Sequence, residues 1–209
     1  MKIKIIAEIG LNHNGNFKLG KQLIDAAKET GADYVKFQLR NMNTLYRNGD
    51  LNSEDLSVQY TLDILKKYYL PDHLLFELFD YAKKINIKPL CTPWDIESVN
   101  KLNEYGMNTY KIASADLTNL TLLTYVANLK KKMYCSTGMS NEEDIIIACK
   151  TLNDCQADYN LLHCNSTYPT PFKDVNLNYM ETLRKISCRP VGYSGHERGI
   201  AIPIAAAAL

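Results

Sequence analysis

Lys36 and Lys111 are charged residues inside otherwise apolar, β-like runs, which read VKFQ and YKIA. Side chains alternate along a strand, so each lysine points away from its apolar neighbours, and Lys36 shares its face with Gln38. An ammonium group that faces the interior is costly to desolvate unless an anion meets it. Glu8, at the end of the first β-like run, can neutralise only one of the two lysines. The pattern therefore predicts a bound anion.

Hydroxyl side chains stand at the ends of three further β-like runs, at Thr92, Ser114 and Ser136, the last within the sequence STGM. Hydroxyls, backbone N–H groups and helix N-termini at strand ends suit a phosphate or a carboxylate. Serine and threonine at such places also serve as ordinary helix caps. Their shared placement at strand ends with the two lysines favours an anion subsite.

Two polar stretches follow the last β-like runs. The first, HCNSTYPTP, contains Asn165, Ser166 and Tyr168, and its paired prolines stiffen a loop that can hold the tyrosine toward a pocket. The second, GYSGHERG, places His196 among glycines, which allow close approach of a ligand. The first stretch also fits a proline turn with a packed tyrosine, and the second also fits an ordinary tight turn. For each stretch the functional and the structural interpretation stay open here.

Strand-like runs and helix-period segments alternate along the whole chain. Strands are predicted over residues 3–8, 34–38, 88–92, 109–113, 132–136, 159–164 and 191–194, and helices over 17–29, 74–85, 95–105, 120–129, 141–153 and 178–186. This alternation predicts a parallel α/β sheet. No Rossmann glycine fingerprint or P-loop follows a strand, and polar residues at nearly every strand end are typical of (β/α)₈ barrels.

We therefore predict an α/β protein with a TIM (β/α)₈-type barrel, one domain over residues 1–209. The barrel is expected to be incomplete, because about seven βα units are predicted and a closed barrel needs an eighth strand. Without that strand, strands one and seven would have unpaired edges, so either the sequence is a fragment or another element covers the gap. The longest segment without a predicted element runs from Arg40 to about Asp72. A connection of that length is typical of a lid or binding loop, and a solvated surface insertion is an equal alternative.

Composition excludes several function classes. There are 24 basic and 23 acidic residues, a net charge of +1, so nothing indicates a nucleic-acid or anionic-membrane partner. The N-terminal apolar run is too short for a secretory signal, and no stretch reaches transmembrane length. The six cysteines form no CxxC pair and are typical of buried small hydrophobic residues in a reducing compartment. We expect a cytoplasmic protein with no membrane partner.

Eight segments, in order along the chain, resemble the sialic acid synthases, the family of N-acetylneuraminate synthase and its legionaminic and pseudaminic acid relatives. They read AEIGLNHNG, VKFQ, CTPWD, YKIAS, STGM, LHCNSTYPTP, DVNL and YSGH. The resemblance implies a TIM barrel that condenses phosphoenolpyruvate with an N-acylated hexosamine such as N-acetylmannosamine, releasing phosphate and forming a nine-carbon 2-keto sugar acid. It also implies a homodimer and a divalent metal, Mn²⁺ first and Mg²⁺ or Co²⁺ as alternatives, which polarises the sugar aldehyde.

The same resemblance assigns roles to residues of this chain. Those that would hold phosphoenolpyruvate are Lys36, Lys111, Thr92, Ser114 and Ser136. Glu8 would stabilise a cationic centre or help the attacking water, Gln38 and Tyr168 would orient the sugar, and His196 would be a metal ligand.

The chain departs from the family at two places. Some relatives carry asparagine where this chain has Ser166, with Asn165 beside it, so the polar sugar contact falls to one of these two. A second metal histidine is expected on the eighth strand, followed by an antifreeze-like domain that supplies an arginine to the partner's sugar site, all beyond Leu209. The chain as given is expected to bind metal weakly, because one imidazole provides too few ligands.

Two other functions use the same residues. A metal-dependent sugar aldolase or isomerase on the same barrel would need a Schiff-base lysine or an added carboxylate–histidine ligand set. A non-catalytic sugar-phosphate-binding fragment would use the site without turnover. An assay with pyruvate in place of phosphoenolpyruvate distinguishes the aldolase from the synthase, because product formation from pyruvate would favour the aldolase.

Overall fold

The computed structural model describes residues 3–42 and 56–209, with side chains for residues 3–42 and 62–209. The chain divides into two compact units, Met1–Met107 and Asn108–Leu209. Both units are built from parallel strands that follow one another in chain order, with helices between them. Among the helices in the described ranges, none combines the length and apolar character needed to cross a membrane.

In its described residues, the first unit contains three parallel strands and four helices with defined bounds. Its strands are β1 (Ile6–Glu8), β2 (Tyr34–Leu39) and β3 (Lys88–Pro93). Its helices are α1 (Phe17–Glu29), α2 (Leu56–Lys67), α3 (Asp72–Lys84) and α4 (Ile96–Glu104). Strand β2 lies between β1 and β3, with Lys36 opposite Glu8 and Gln38 opposite Thr92.

The neighbours of Lys36 in β2 are buried, and one of them packs against a helix. Val35 and Phe37 are fully buried, and the Phe37 ring meets the Phe79 ring of α3 edge-on at 5.6 Å between centroids. Because alternate residues of a strand face opposite sides, this contact leaves Lys36 on the other side of the sheet. The predicted alternation around Lys36 is confirmed.

The segment from Arg40 to Asp72 contains a helix that was not predicted, α2. In the part of this helix whose side chains are described, Leu62 and Leu65 are buried, so this portion packs into the first unit and is not a solvated insertion. Residues 43–55, which carried the rest of the lid prediction, lie outside the described residues.

The second unit contains four parallel strands and four helices. Its strands are β4 (Thr109–Ile112), β5 (Lys132–Ser136), β6 (Asp158–His163) and β7 (Gly192–Tyr193). Its helices are α5 (Leu120–Asn128), α6 (Glu142–Asp154), α7 (Tyr179–Ser187) and α8 (Ala201–Ala208). Asparagine caps explain where two helices begin: the Asn119 side chain accepts from the Leu122 N–H, and Asn141 forms a capping box with Asp144.

All six cysteines are free thiols, and four of them are buried: Cys91, Cys135, Cys149 and Cys164. Burial raises the pKa of the Cys135 thiol to about 12, so it stays protonated. The prediction that cysteines serve as small hydrophobic residues is confirmed for these four, whereas Cys188 is exposed.

Candidate active site

The three strands of the first unit bring Glu8, Lys36 and Thr92 together. Lys36 Nζ lies 2.9 Å from Glu8 Oε2 and donates a hydrogen bond to Thr92 Oγ1 at 3.1 Å. The lysine side chain is 9% exposed, whereas the glutamate side chain is 52% exposed. The ion pair is therefore buried at its cation and open to solvent at its carboxylate, which leaves the carboxylate accessible to a ligand or to water.

Gln38 adds an amide to the same cluster. An atom at the Cβ position of Gly10 would lie 2.9 Å from Glu8 Oε1 and 3.4 Å from Gln38 Nε2, so the carboxylate and the amide border one gap. Gln38 Oε1 accepts hydrogen bonds from Arg40 Nη2 and, at 3.2 Å, from Trp94 Nε1.

Arg40 is a residue that the sequence interpretation did not include in the site. Its guanidinium lies over the Trp94 ring, 4.7 Å from the centroid, while it donates to the Gln38 side chain. Its position two residues after Gln38 was the available signal, because residues two apart share one side of an extended chain.

The second unit holds the other buried lysine. Lys111 Nζ donates to Ser136 Oγ on the adjacent strand and to the Ile112 carbonyl at 3.3 Å. Ser114 begins a short 3-10 turn directly after β4, and its hydroxyl donates to Cys164 Sγ at 3.5 Å. Lys111 and Ser136 are thus brought together as predicted, with Ser114 on the loop that follows the same strand.

The loop after β6 is held by hydrogen bonds within itself. Asn165 Nδ2 donates to the Asp174 carbonyl at 3.1 Å, and Asn165 Oδ1 accepts from the Thr167 N–H at 2.9 Å. Both ends of this amide are engaged in loop structure, so of the two predicted sugar contacts Ser166 is the better placed. His163 lies at the end of β6, and its Nε2 is 2.7 Å from the Val175 carbonyl oxygen. This contact connects the far end of the loop to the strand.

His196 lies against the same loop. Its Nδ1 is 2.7 Å from the Asn165 carbonyl, which can only accept, so Nδ1 carries the proton and Nε2 keeps its lone pair. The centroids of the Tyr168 ring and the His196 imidazole are 4.0 Å apart. Tyr168 itself is 72% exposed. The nearby Cys164 sulfur raises the pKa of His196; partial burial opposes this, and the Asn165 carbonyl adds to it.

The geometry at His196 suits a metal ligand, because a ligating histidine usually donates its other ring N–H to a carbonyl or carboxylate. Within residues 3–42 and 56–209, however, no group of three histidine, cysteine, aspartate or glutamate side chains could hold an ion. The role of His196 as a metal ligand stays a prediction.

Gly195, the residue before His196, leaves room for a contact within its own loop. A Cβ there would lie 2.2 Å from Glu197 Oε2 and 2.4 Å from Tyr193 Cε1. Tyr193 donates to Glu197 at 2.6 Å, so the missing side chain makes room for this internal pair.

A cavity of about 350 Å³ opens in the second unit beside Gly138, Asn165 and Ser166. Its lining contains hydroxyls, amides, His163 and Asp174, and the described residues contribute no lysine or arginine to it. An anion is therefore expected at Lys111 and Ser136 and not in this cavity.

Comparison with solved structures defines the class of protein: the chain has the fold of the sialic acid synthases. It superposes on the N-acetylneuraminic acid (sialic acid) synthetase of Leptospira borgpetersenii serovar Hardjo-bovis, solved with citrate, with a TM-score of 0.90 and 33% sequence identity, over 100% of this chain and 70% of that chain. The predicted α/β fold, an incomplete TIM-type barrel, is confirmed. The chain belongs to the NeuB family, which it matches over residues 23–209.

Curated relatives carry the names of sugar acid synthases. The chain is 42% identical to the N,N'-diacetyllegionaminic acid synthase of Campylobacter jejuni over 100% of this chain and 65% of that protein. It is 33% identical to the human N-acetylneuraminate-9-phosphate synthase over 98% of this chain and 58% of that protein. The chain thus spans less than two thirds of the length of these relatives.

Proposed function

We propose that this chain is the barrel part of an enzyme that condenses phosphoenolpyruvate with N-acetylmannosamine or a related N-acylated hexosamine. The observation that carries the proposal is the pair of buried lysines, each held by a hydroxyl on the next strand: Lys36 by Thr92 and Lys111 by Ser136. Buried cations with hydroxyl partners suit a small ligand with several negative charges.

Phosphoenolpyruvate has a carboxylate and a phosphate, and the family resemblance assigns both lysines to this ligand. Ser114 would add a further donor on the Lys111 side. A hydrogen bond to a charged group is worth about 1.5–3 kcal/mol, so a few such contacts suffice for binding at ordinary metabolite concentrations.

The reaction that we propose balances as phosphoenolpyruvate plus hexosamine plus water giving the 2-keto sugar acid plus phosphate. Carbon 3 of phosphoenolpyruvate forms a bond to the aldehyde carbon of the open-chain sugar, and carbon 2 becomes cationic. Water adds to carbon 2, and the bond from carbon 2 to the phosphate oxygen breaks. The accessible carboxylate of Glu8 would stabilise the cation or accept the proton of the water.

The sugar would contact Gln38, Tyr168 and Ser166. Arg40 and Trp94 fix the orientation of the Gln38 amide by donating to its oxygen, which leaves the amide N–H groups for the sugar. The high exposure of Tyr168 leaves its ring available to cover a ligand.

His196 would be one ligand of a divalent metal, Mn²⁺ first, through Nε2. When bound, such an ion would supply Lewis-acid polarisation of the sugar aldehyde. Its other ligands would come from outside the described residues. A homodimer and a cytoplasmic location belong to the same proposal and rest on the family resemblance.

The test is phosphate release from phosphoenolpyruvate by the complete natural protein with Mn²⁺ and one sugar at a time: N-acetylmannosamine, its 6-phosphate, or a hexose with two acetamido groups. Because the Campylobacter relative at 42% identity makes a diacetylated product, we expect the diacetamido hexose to be the best of the three. Phosphate release that needs a hexosamine supports the proposal, and no consumption of phosphoenolpyruvate with any of them contradicts it.

A further inference from the structure

Gly138 lies in the loop after β5, between two hydroxyl groups of the candidate site. A Cβ at this position would lie 2.4 Å from Ser166 Oγ, 2.9 Å from Ser114 Oγ and 3.3 Å from the Cys164 carbonyl oxygen. The two serines come from loops that follow different strands, β6 and β4. Their hydroxyls therefore converge on a point that is free only because residue 138 has no side chain.

Space, and not backbone conformation, is what requires glycine here. Gly138 is absent from the described residues with positive φ, so alanine could adopt its backbone conformation without strain. The Cys164 carbonyl belongs to the backbone and can yield little. The two serine side chains can each rotate about χ1, so an added methyl group would turn the hydroxyls away while the backbone stays in place.

We propose that Gly138 is a positioning residue that holds the Ser114 and Ser166 hydroxyls together over the bound substrates. The proposal rests on the proposed function, in which Ser114 binds phosphoenolpyruvate. A larger residue at position 138 would weaken phosphoenolpyruvate binding without contacting the ligand itself.

The experiment measures phosphoenolpyruvate binding to the complete natural protein by calorimetry, in wild type, Gly138→Ala, the double variant Ser114→Ala/Ser166→Ala, and the triple variant. We expect Gly138→Ala to weaken binding about 10-fold or more, the effect of losing a hydrogen bond to a charged ligand. In the double variant both hydroxyls are already gone. Adding Gly138→Ala should then change the affinity less than 2-fold, which is about the precision of such a comparison between variants.

Gly31→Ala is the matched control, because a Cβ at Gly31 meets nothing within 4 Å but its φ is +83°. That variant should lower the unfolding temperature and leave phosphoenolpyruvate affinity unchanged. Gly138→Ala should instead lower the affinity for phosphoenolpyruvate and leave the unfolding temperature unchanged.

Wild-type affinity in Gly138→Ala, or an equal loss with and without the two hydroxyls, overturns the positioning role while the proposed function stands. A wild-type protein that binds no phosphoenolpyruvate overturns both.

Discussion

The carboxylate of Glu8 lies 2.9 Å from the ammonium group of Lys36, and only the carboxylate end of this pair is open to solvent. A buried salt bridge is weak evidence for stability, because desolvation offsets much of the attraction. An ion pair with one accessible end is better explained by a ligand or a water that approaches the carboxylate.

Glu8→Gln is expected to separate binding from chemistry. The change removes a negative charge beside the anion subsite, so the KM for phosphoenolpyruvate should stay equal or fall. The kcat should fall about 100-fold or more, since a positioned acid–base or electrostatic group contributes at least that much. Steady-state kinetics measure both constants. Lys36→Met is the comparison variant, and it should raise the KM for phosphoenolpyruvate instead. A raised KM with unchanged kcat in Glu8→Gln would contradict the role of Glu8 in the chemical step.

Ser136→Ala removes the hydroxyl to which Lys111 donates, while the Ile112 carbonyl remains as a partner. We expect phosphoenolpyruvate affinity to fall about 10-fold, because the lysine loses the group that orients it toward the anion. Ser187→Ala is the control: this serine is also buried, but it donates to the Leu183 carbonyl within α7. The control should lower stability and leave the affinity unchanged, and equal affinity losses in both variants would refute the role of Ser136.

His13 is expected to make stability depend on pH. Burial lowers the pKa of His13 from its ordinary value of 6.5, and its Nδ1 accepts a hydrogen bond from the Gly15 N–H at 3.1 Å. The unfolded chain therefore takes up the proton more readily than the folded one, so this contribution is fully present above pH 6.5 and is lost as the pH falls through the lowered pKa.

The measurement is the free energy of unfolding by denaturant at about pH 7.5 and about pH 5.5. His13→Gln should lose less stability between the two values than wild type. His73→Gln, at an exposed histidine, should lose as much as wild type. An unchanged loss in His13→Gln would show that His13 does not account for the pH dependence.

Thiol labelling should follow burial. Cys188 is exposed, whereas Cys91 and Cys135 are fully buried with raised pKa values. A maleimide under native conditions is expected to modify Cys188 first and the two buried thiols only after denaturation. Peptide mass spectrometry at successive times reports the order, and native labelling of Cys135 at the rate of Cys188 would contradict the described core.

Strands and helices with strong periodicity were predictable from sequence. Helix α1 was predicted with its observed bounds, because its apolar residues recur three and four apart; the structure adds that Asn16 caps its start. The direction of Lys36, on the side of the sheet opposite Phe37, followed from alternation alone. Helix α2 was missed because the polar composition of its segment outweighed the spacing of Leu62 and Leu65, which are buried.

Loop contacts within the site were not predictable in the same way. Whether Asn165 serves a ligand or its own loop depends on the path of the chain to Asp174, and no local spacing specifies that path. The same holds for Gly195, whose missing side chain makes room for Tyr193 and Glu197. Residue types indicated the chemistry, and tertiary contacts decided which side chains are available for it.

The most direct test of the phosphoenolpyruvate reaction uses phosphoenolpyruvate labelled with ¹⁸O in the oxygen that bridges carbon 2 and phosphorus. The complete natural protein is incubated with this substrate, a hexosamine and Mn²⁺, and the released phosphate and the sugar acid are analysed by mass spectrometry. We expect one phosphate per 2-keto acid, with the label in the phosphate because the bond between carbon 2 and the bridging oxygen breaks. Label retained in the sugar acid, or the same product formed from pyruvate, would contradict it.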